Sequence, residues 1–204
     1  MKLVVAESMS LDGVVQSPAG QDEDPSGGFA EGGWLPAYFD NTVEEFVGAG
    51  FANVEALLLG RRTHDLLAAH WPKLTPEDDP GAELMNATPR YVAGTPKLKW
   101  AGTTALEGDV VAAVQGLKDR RGGDLVVQGS PTLVQTLLTA GLIDELRIAI
   151  APVLLGSGKR LFGNGTVPGA LELVECTSSP SGIMLAVYCP AGSIRRGNWM
   201  IDEK

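Results

Sequence analysis

The chain has 204 residues, with 16 Lys and Arg against 25 Asp and Glu, a formal net charge of −9, and 44% apolar residues. An acidic excess of this size repels polyanions at long range, and no long basic run offsets it, so duplex nucleic acid and anionic membrane surfaces are excluded as partners. The length suffices for one sizeable core, and 26 glycines with 13 prolines point to a fold rich in turns.

The first apolar run, Leu3 to Ala6, reads as a strand that leads into the turn-forming Ser10-Leu11-Asp12-Gly13. Residues Gln16 to Pro36 carry Gly, Pro, Ser and acids without periodicity, and read either as a lid or as a variable surface insertion. Thr42 and Glu45 fit a capping box for a helix that stops near Gly48 to Gly50, and Ala56 to Leu59 is a buried strand. A helix over Thr63 to Trp71, with Leu66 and Leu67 on one side, is stopped by Pro72 and followed by a strand at Arg90 to Ala93.

Asp109 caps the next helix, and Leu125 to Gln128 is again a strand. Gly129-Ser130-Pro131-Thr132 then opens a helix, with Ser as N-cap and Pro at the first helical position. Leu146, Ile148 and Ile150 form a strand, and Leu171 to Cys176 with Ile183 to Cys189 form a hairpin. The alternation predicts an α/β fold: a mostly parallel sheet with helices on both faces and an antiparallel edge.

In such sheets ligands bind beyond the carboxyl ends of the strands, where strand passes into helix. Gly60-Arg61-Arg62-Thr63 joins a close-approach glycine, a helix N-terminus and two guanidinium groups, which is the chemistry of an anion site. The competing reading, two arginines solvating a helix start, places cations against the helix dipole. Gly129-Ser130-Pro131-Thr132 repeats the geometry without charge, and reads either as a pyrophosphate turn or as a well-capped structural helix. Together the pair suits a dinucleotide with an extra ribose phosphate, NADP(H).

Other chemistries fail on inspection. Gly156-Ser157-Gly158-Lys159-Arg160 lacks the Ser/Thr and the upstream glycine of a phosphate loop. His64 and His70 are six apart, on different helical faces and without a nearby cysteine, so no metal is expected. Cys176 and Cys189 form no C-x-x-C motif and the N-terminus turns polar early, so the chain reads as cytosolic. Asp12, at a strand end, is the candidate catalytic group, as a polar substrate contact or proton relay; the plain reading is an Asp-Gly turn. Hydride transfer fits this short inventory, because the cofactor brings the reactivity.

The segments SLDG at 10–13, LLLGRRTHDLLAAHW at 57–71 and VVQGSPTLVQTLLTAGLIDELRIAIAPVLLGSGKRLF at 126–162 resemble dihydrofolate reductase-like proteins. They are most similar to the C-terminal reductase domain of the bifunctional riboflavin-biosynthesis deaminase-reductase. The resemblance implies that fold over 1–190, a tail over 191–204, NADPH as hydride donor, a pyrimidine or pterin-like substrate, and a homodimer. It places Gly60, Arg61, Arg62 and Thr63 at the adenosine-side phosphate, and Ala93, Gly94 and Thr95 beside the adenosine. Gly129, Ser130, Thr132 and Leu133 match its pyrophosphate turn. Ser10, Asp12 and Gly13 match the strand end by nicotinamide and substrate, while Leu154, Leu155 and Gly156 match a segment lining the cleft. The carboxylate that dihydrofolate reductases carry on their first helix has no clear counterpart here; Asp40, Glu44 and Glu45 lie near the expected place.

Overall fold

A computed structural model describes residues 1–198. Its strands are β1 (Lys2–Ser10), β2 (Val54–Gly60), β3 (Arg90–Ala93), β4 (Thr103–Leu106), β5 (Asp124–Gln128), β6 (Glu145–Ala151), β7 (Leu171–Ser178) and β8 (Met184–Pro190). The helices are α1 (Asn41–Phe51), α2 (Arg61–His70), α3 (Ala82–Ala87), α4 (Val110–Lys118) and α5 (Pro131–Thr139). All strands join one sheet in the order β4-β3-β2-β5-β1-β6-β8-β7, with the first six parallel and the last two antiparallel.

The side-chain period of two sorts each strand between two helical layers. Leu3, Val5, Leu125, Val127 and Ile148 face α4 and α5, whose Val114, Leu117, Leu133, Val134 and Leu137 complete that core. Val4, Leu57, Leu59 and Val126 face the other way, against Phe51 of α1, Ala68 of α2 and Met85 of α3. Both faces are therefore covered, which is why the central strands read as continuous apolar runs rather than alternating ones. Each fully buried Leu or Val contributes about 1.5–3 kcal/mol to holding the layers together.

Several local expectations are corrected. The cap of α1 is Asp40, whose Oδ1 accepts from the Val43 amide at 3.1 Å, so Thr42 and Glu45 form no capping box. Gly48 and Gly50 lie inside that helix, which runs on to Phe51 because Phe51 buries its ring in the core. Leu66 is exposed, and α2 instead buries His64 and Ala68. Strand β4 and helix α3 had no expected counterpart, being a half-exposed edge strand and a helix of under two turns. Asp109 does cap α4, accepting from the Val111 amide at 2.9 Å.

The 16–36 segment has a packed structure. Phe29 and Trp34 enter a core with Val43, Phe46, Ala149 and Ile183, and the Trp34 indole N–H donates to the Gln16 carbonyl at 2.9 Å. Strand β6 sits between β1 and β8, so it has no free edge for pairing with a second copy; the outer edges of the sheet are those of β4 and β7. The expected tail at 191–204 lies partly outside the described residues.

Candidate active site

The carboxyl ends of β2 and β5 are neighbours in the sheet, so the two glycine turns that follow them meet. Ser130 joins them. Its hydroxyl accepts from the Gly60 amide at 2.8 Å and shares a hydrogen bond with the Thr63 hydroxyl at 2.7 Å. A Cβ on Gly60 would lie 2.8 Å from that hydroxyl, and one on Gly129 would lie 2.7 Å from Thr63. The glycines are thus needed for close approach of the two turns, and Gly129, with φ of 62°, for its backbone as well.

This bolt corrects the expected role of Ser130. It stands at the N-cap position in a left-handed conformation, φ 68° and ψ 58°, and caps nothing in its own helix. The first intrahelical bond of α5 is made by Val134 to the Ser130 carbonyl, which leaves the Thr132 and Leu133 amides as first-turn donors. Leu133 offers only that amide, since its side chain is in the core. The Gly60 amide and Thr63 hydroxyl are likewise committed to Ser130, so an anion at α2 is left with the Arg61 and Arg62 side chains and their amides.

Arg61 sits 3.2 Å from Asp65 one turn along α2, whereas Arg62 is exposed and has no ion pair among the described residues. Asp65 also accepts from the Lys97 and Leu98 amides, at 2.9 and 3.1 Å. Burial works against its charge, but those amides, His64 and Arg61 hold its acid below the usual carboxylate range. The effect is to pin the segment after Ala93-Gly94-Thr95 against α2; a Cβ on Gly94 would lie 3.5 Å from that of Arg61. All three expected cofactor segments therefore converge. Beside them opens a cleft of about 390 Å³, lined by Pro131, Thr132 and Gln135 of α5 and by Lys159, Arg160 and Asn164.

A second cluster forms at the end of β1. Asp12 Oδ1 accepts from the Ser10 hydroxyl at 2.7 Å and the Leu155 amide at 3.1 Å. Its Oδ2 takes the Gly156 amide at 2.9 Å and Arg160 at 3.3 Å. The Ser10 hydroxyl is the main cause that lowers its acid to about 2; partial burial opposes it, and the two amides and Arg160 reinforce it. Asp12 is consequently ionised at neutral pH with both oxygens occupied, which makes it a clasp between β1 and the 154–160 segment rather than a proton donor. Gly13, at φ 85°, turns the chain so that its carbonyl accepts from Leu161. Leu154 projects into solvent, and Leu155 is half-buried.

Lys159 and Arg160 are paired in turn. The Lys159 ammonium contacts the Asp24 carboxylate and lies 2.8 Å from the Ser26 hydroxyl, and its amide donates to Gln16 at 3.0 Å. The 16–36 segment is thereby fastened to the mouth of the site. On the face covered by α1, Asp40 is used as cap and as acceptor from Ser181 at 3.0 Å, while Glu44 and Glu45 are exposed. None of the three carboxylates of α1 and its cap is directed at the sheet.

Glu7 escapes the sequence reading, which takes Gln128 only as the strand end before the second glycine turn. Glu7 Oε1 and Gln128 Oε1 are buried and make no hydrogen bond. By register Gln128 lies beside Ala6, facing α1, whereas Glu7 faces α5. A charged residue inside the apolar run of a central parallel strand was the available signal for Glu7.

The family described as the RibD C-terminal domain matches residues 1–185. YyaP of Bacillus subtilis (strain 168) is 26% identical over 198 residues, spanning 92% of this chain and 94% of YyaP. A crystal structure of a protein named for riboflavin biosynthesis, from Shewanella sp. PV-4, superposes with a TM-score of 0.65 at 20% identity, over 94% of this chain and 99% of that one. Dihydrofolate reductase from Enterococcus faecalis, in complex with NADP(H) and RAB-propyl, gives 0.58 at 16%, over 93% and 96%. These superpositions establish the dihydrofolate reductase-like fold.

Proposed function

This chain belongs to the RibD C-terminal domain family, and from that premise we propose that it is an NADPH-dependent reductase of a small heterocycle. The observation that carries the reading is the pair of bolted glycine turns, one bearing Arg61 and Arg62 and the other presenting the free first-turn amides of α5. The donors fit the group: guanidinium forks suit a terminal ribose phosphate, and a helix N-terminus beside an open cleft suits a pyrophosphate. NADPH, when bound, supplies a hydride, and a proton from solvent completes the two-electron reduction of the substrate.

The chain's own residues hold and enclose. Asp12 fixes the 154–160 segment at the end of β1, and the 16–36 segment, anchored by Trp34 and Lys159, walls off water. The finer reading is a reaction resembling that of 5-amino-6-(5-phosphoribosylamino)uracil reductase. A pterin reductase is disfavoured by the outward or capping placement of Asp40, Glu44 and Glu45. A non-catalytic nucleotide-binding module is the remaining alternative, and steady turnover of a pyrimidine would exclude it.

Calorimetric titration with NADPH and NADH tests the assignment. NADPH should bind more tightly, and the Arg61→Ala, Arg62→Ala double variant should lose about tenfold or more of NADPH affinity while changing NADH little. Equal losses would remove the ribose-phosphate assignment. For the homodimer, the exposed β7 edge with Leu173 and Val174 is the surface we assign to a second copy. Light scattering should return twice the mass of the chain.

A further inference from the structure

Glu7 is the feature that the hydride-transfer reading leaves unused. It lies on β1, paired with Ile148 of β6 on one side, and on the other it stands one residue beyond the Ala6–Gln128 pair that ends the β5 ladder, where the Gly129 turn begins. Its side chain shares the face of Val5 and Met9 and points toward α5. One carboxyl oxygen is buried without a partner, and the nearby polar group that favours its charge is the amide of Gly129, in the turn that opens α5.

Among the described residues Glu7 makes no ion pair, and Arg62, which has none either, is exposed at the start of α2. Helix α5 contains no charged residue, and β6 presents Ile148 and Ile150 on this face. From the loops over that end, Arg160 is held by Asp12 and Lys159 by Asp24, while across the Ser130 bolt Arg61 is held by Asp65. His64 lies on the opposite side of the sheet, bonded to Thr103. Glu7 is half-buried as a residue, but the carboxyl oxygen without a partner is enclosed; charge there is costly without a cation, and burial pushes the acid up to about 8.

We propose that Glu7 is the proton-carrying member of the nucleotide site: its neutral carboxyl permits an anion to dock at the Gly129 turn, and dinucleotide binding is accompanied by proton uptake at Glu7. This rests on the pyrophosphate placement made above. An anion at the first turn of α5 and an ionised Glu7 behind it would be two like charges across a low-dielectric wall. Binding therefore favours the protonated form, and by linkage the acid weakens further in the complex.

The sign follows. Below pH about 8 Glu7 carries its proton with or without ligand, and affinity is independent of this group. Above that, the free protein has released a proton that binding must restore, so affinity falls as pH rises, by up to about tenfold per pH unit.

The test is calorimetry of the full chain with NADPH at pH 8.5, in two buffers of different ionisation enthalpy, together with dissociation constants at pH 7 and pH 9. The wild type should take up a fraction of a proton and weaken about tenfold between the two pH values. Glu7→Gln should take up almost none and weaken less than about twofold. Uptake that persists in Glu7→Gln, or NADPH binding by the wild type without uptake, overturns this inference alone. Failure of the wild type to bind NADPH at pH 7 overturns the functional reading and this inference with it. Should Glu7→Gln not fold, carboxyl-carbon NMR of the wild type replaces it: NADPH should move the Glu7 titration to higher pH, and an unmoved titration refutes the proposal.

Discussion

Arg90 and Glu7 are both charged residues enclosed by the sheet, at opposite ends of it, and they are treated in opposite ways. Arg90 opens β3 at the amino end and is 1% exposed. One of its terminal nitrogens donates to the carbonyls of Met85, Asn86 and Thr88 at 2.8, 3.2 and 2.6 Å, the other to that of Ala101, and the guanidinium stacks over Trp100 at 3.7 Å. These are the orphan carbonyls of α3 and the loop behind it, which a cation satisfies well. Glu7, at the carboxyl end, has one oxygen satisfied by nothing. Arg90 also leaves its Nε unpaired, but its two terminal nitrogens are taken up by four carbonyls; the contrast shows that a buried cation surrounded by acceptors holds the fold, whereas a buried carboxyl oxygen with no cation marks where the fold meets a ligand or a proton.

The largest effect that would sharpen this contrast is expected from Arg90→Met. It leaves several buried carbonyls unpaired, and should cost about 3–5 kcal/mol of stability by chemical denaturation. A loss below about 1 kcal/mol would break the contrast from the structural side. Glu7→Gln should act through pH instead. The folded protein holds this proton up to about pH 8, but an unfolded Glu releases it near 4.5. The favourable difference is complete below pH 4.5 and declines as pH rises to about 8, with a slope of up to about 1.4 kcal/mol per unit. Denaturation midpoints at pH 5, 6.5 and 8 should fall more steeply in the wild type than in Glu7→Gln.

A smaller effect is expected at the bolt. Gly129→Ala adds a Cβ 2.7 Å from Thr63 at a φ of 62°, and should cost about 1–3 kcal/mol while weakening NADPH binding. Smallest is Ser130→Gly, which keeps the left-handed backbone and loses the two hydrogen bonds to Gly60 and Thr63. We expect about 1 kcal/mol in stability, and a loss of NADPH affinity larger than that for isolated adenosine phosphates. Equal losses for both ligands would show that the bolt does not align the two turns.

Much of this was legible in the chain. The apolar runs at 3–6, 56–59 and 125–127 announce strands covered on both faces, and the glycines at 60 and 129 announce the turns after β2 and β5. What the local pattern could not give was identity of partner. Asp40, Thr42 and Ser130 are all capping residue types, and propensity does not distinguish the one that caps from the one recruited to bolt two turns together. Asp12 looked like a free acid because Ser10 is its only partner nearby in sequence; Leu155, Gly156 and Arg160 arrive from more than 140 residues away. Strand β4 was invisible because Thr103–Leu106 is a half-exposed edge without an apolar run, and helix α3 because six residues are too few for a helical period to accumulate.

The sequence by itself determined the layered α/β fold and the positions of the turns, since these follow from hydrophobic period and from residues with special backbones, while the dihydrofolate reductase-like resemblance rested on its matching motifs. Tertiary structure decided which donors remain open for a ligand, that the terminal nitrogens of Arg90 meet four carbonyls, and that one carboxyl oxygen of Glu7 is buried without a partner. Those outcomes depend on what lies opposite in space, and in a parallel sheet the opposing residue belongs to a strand many residues distant in the chain.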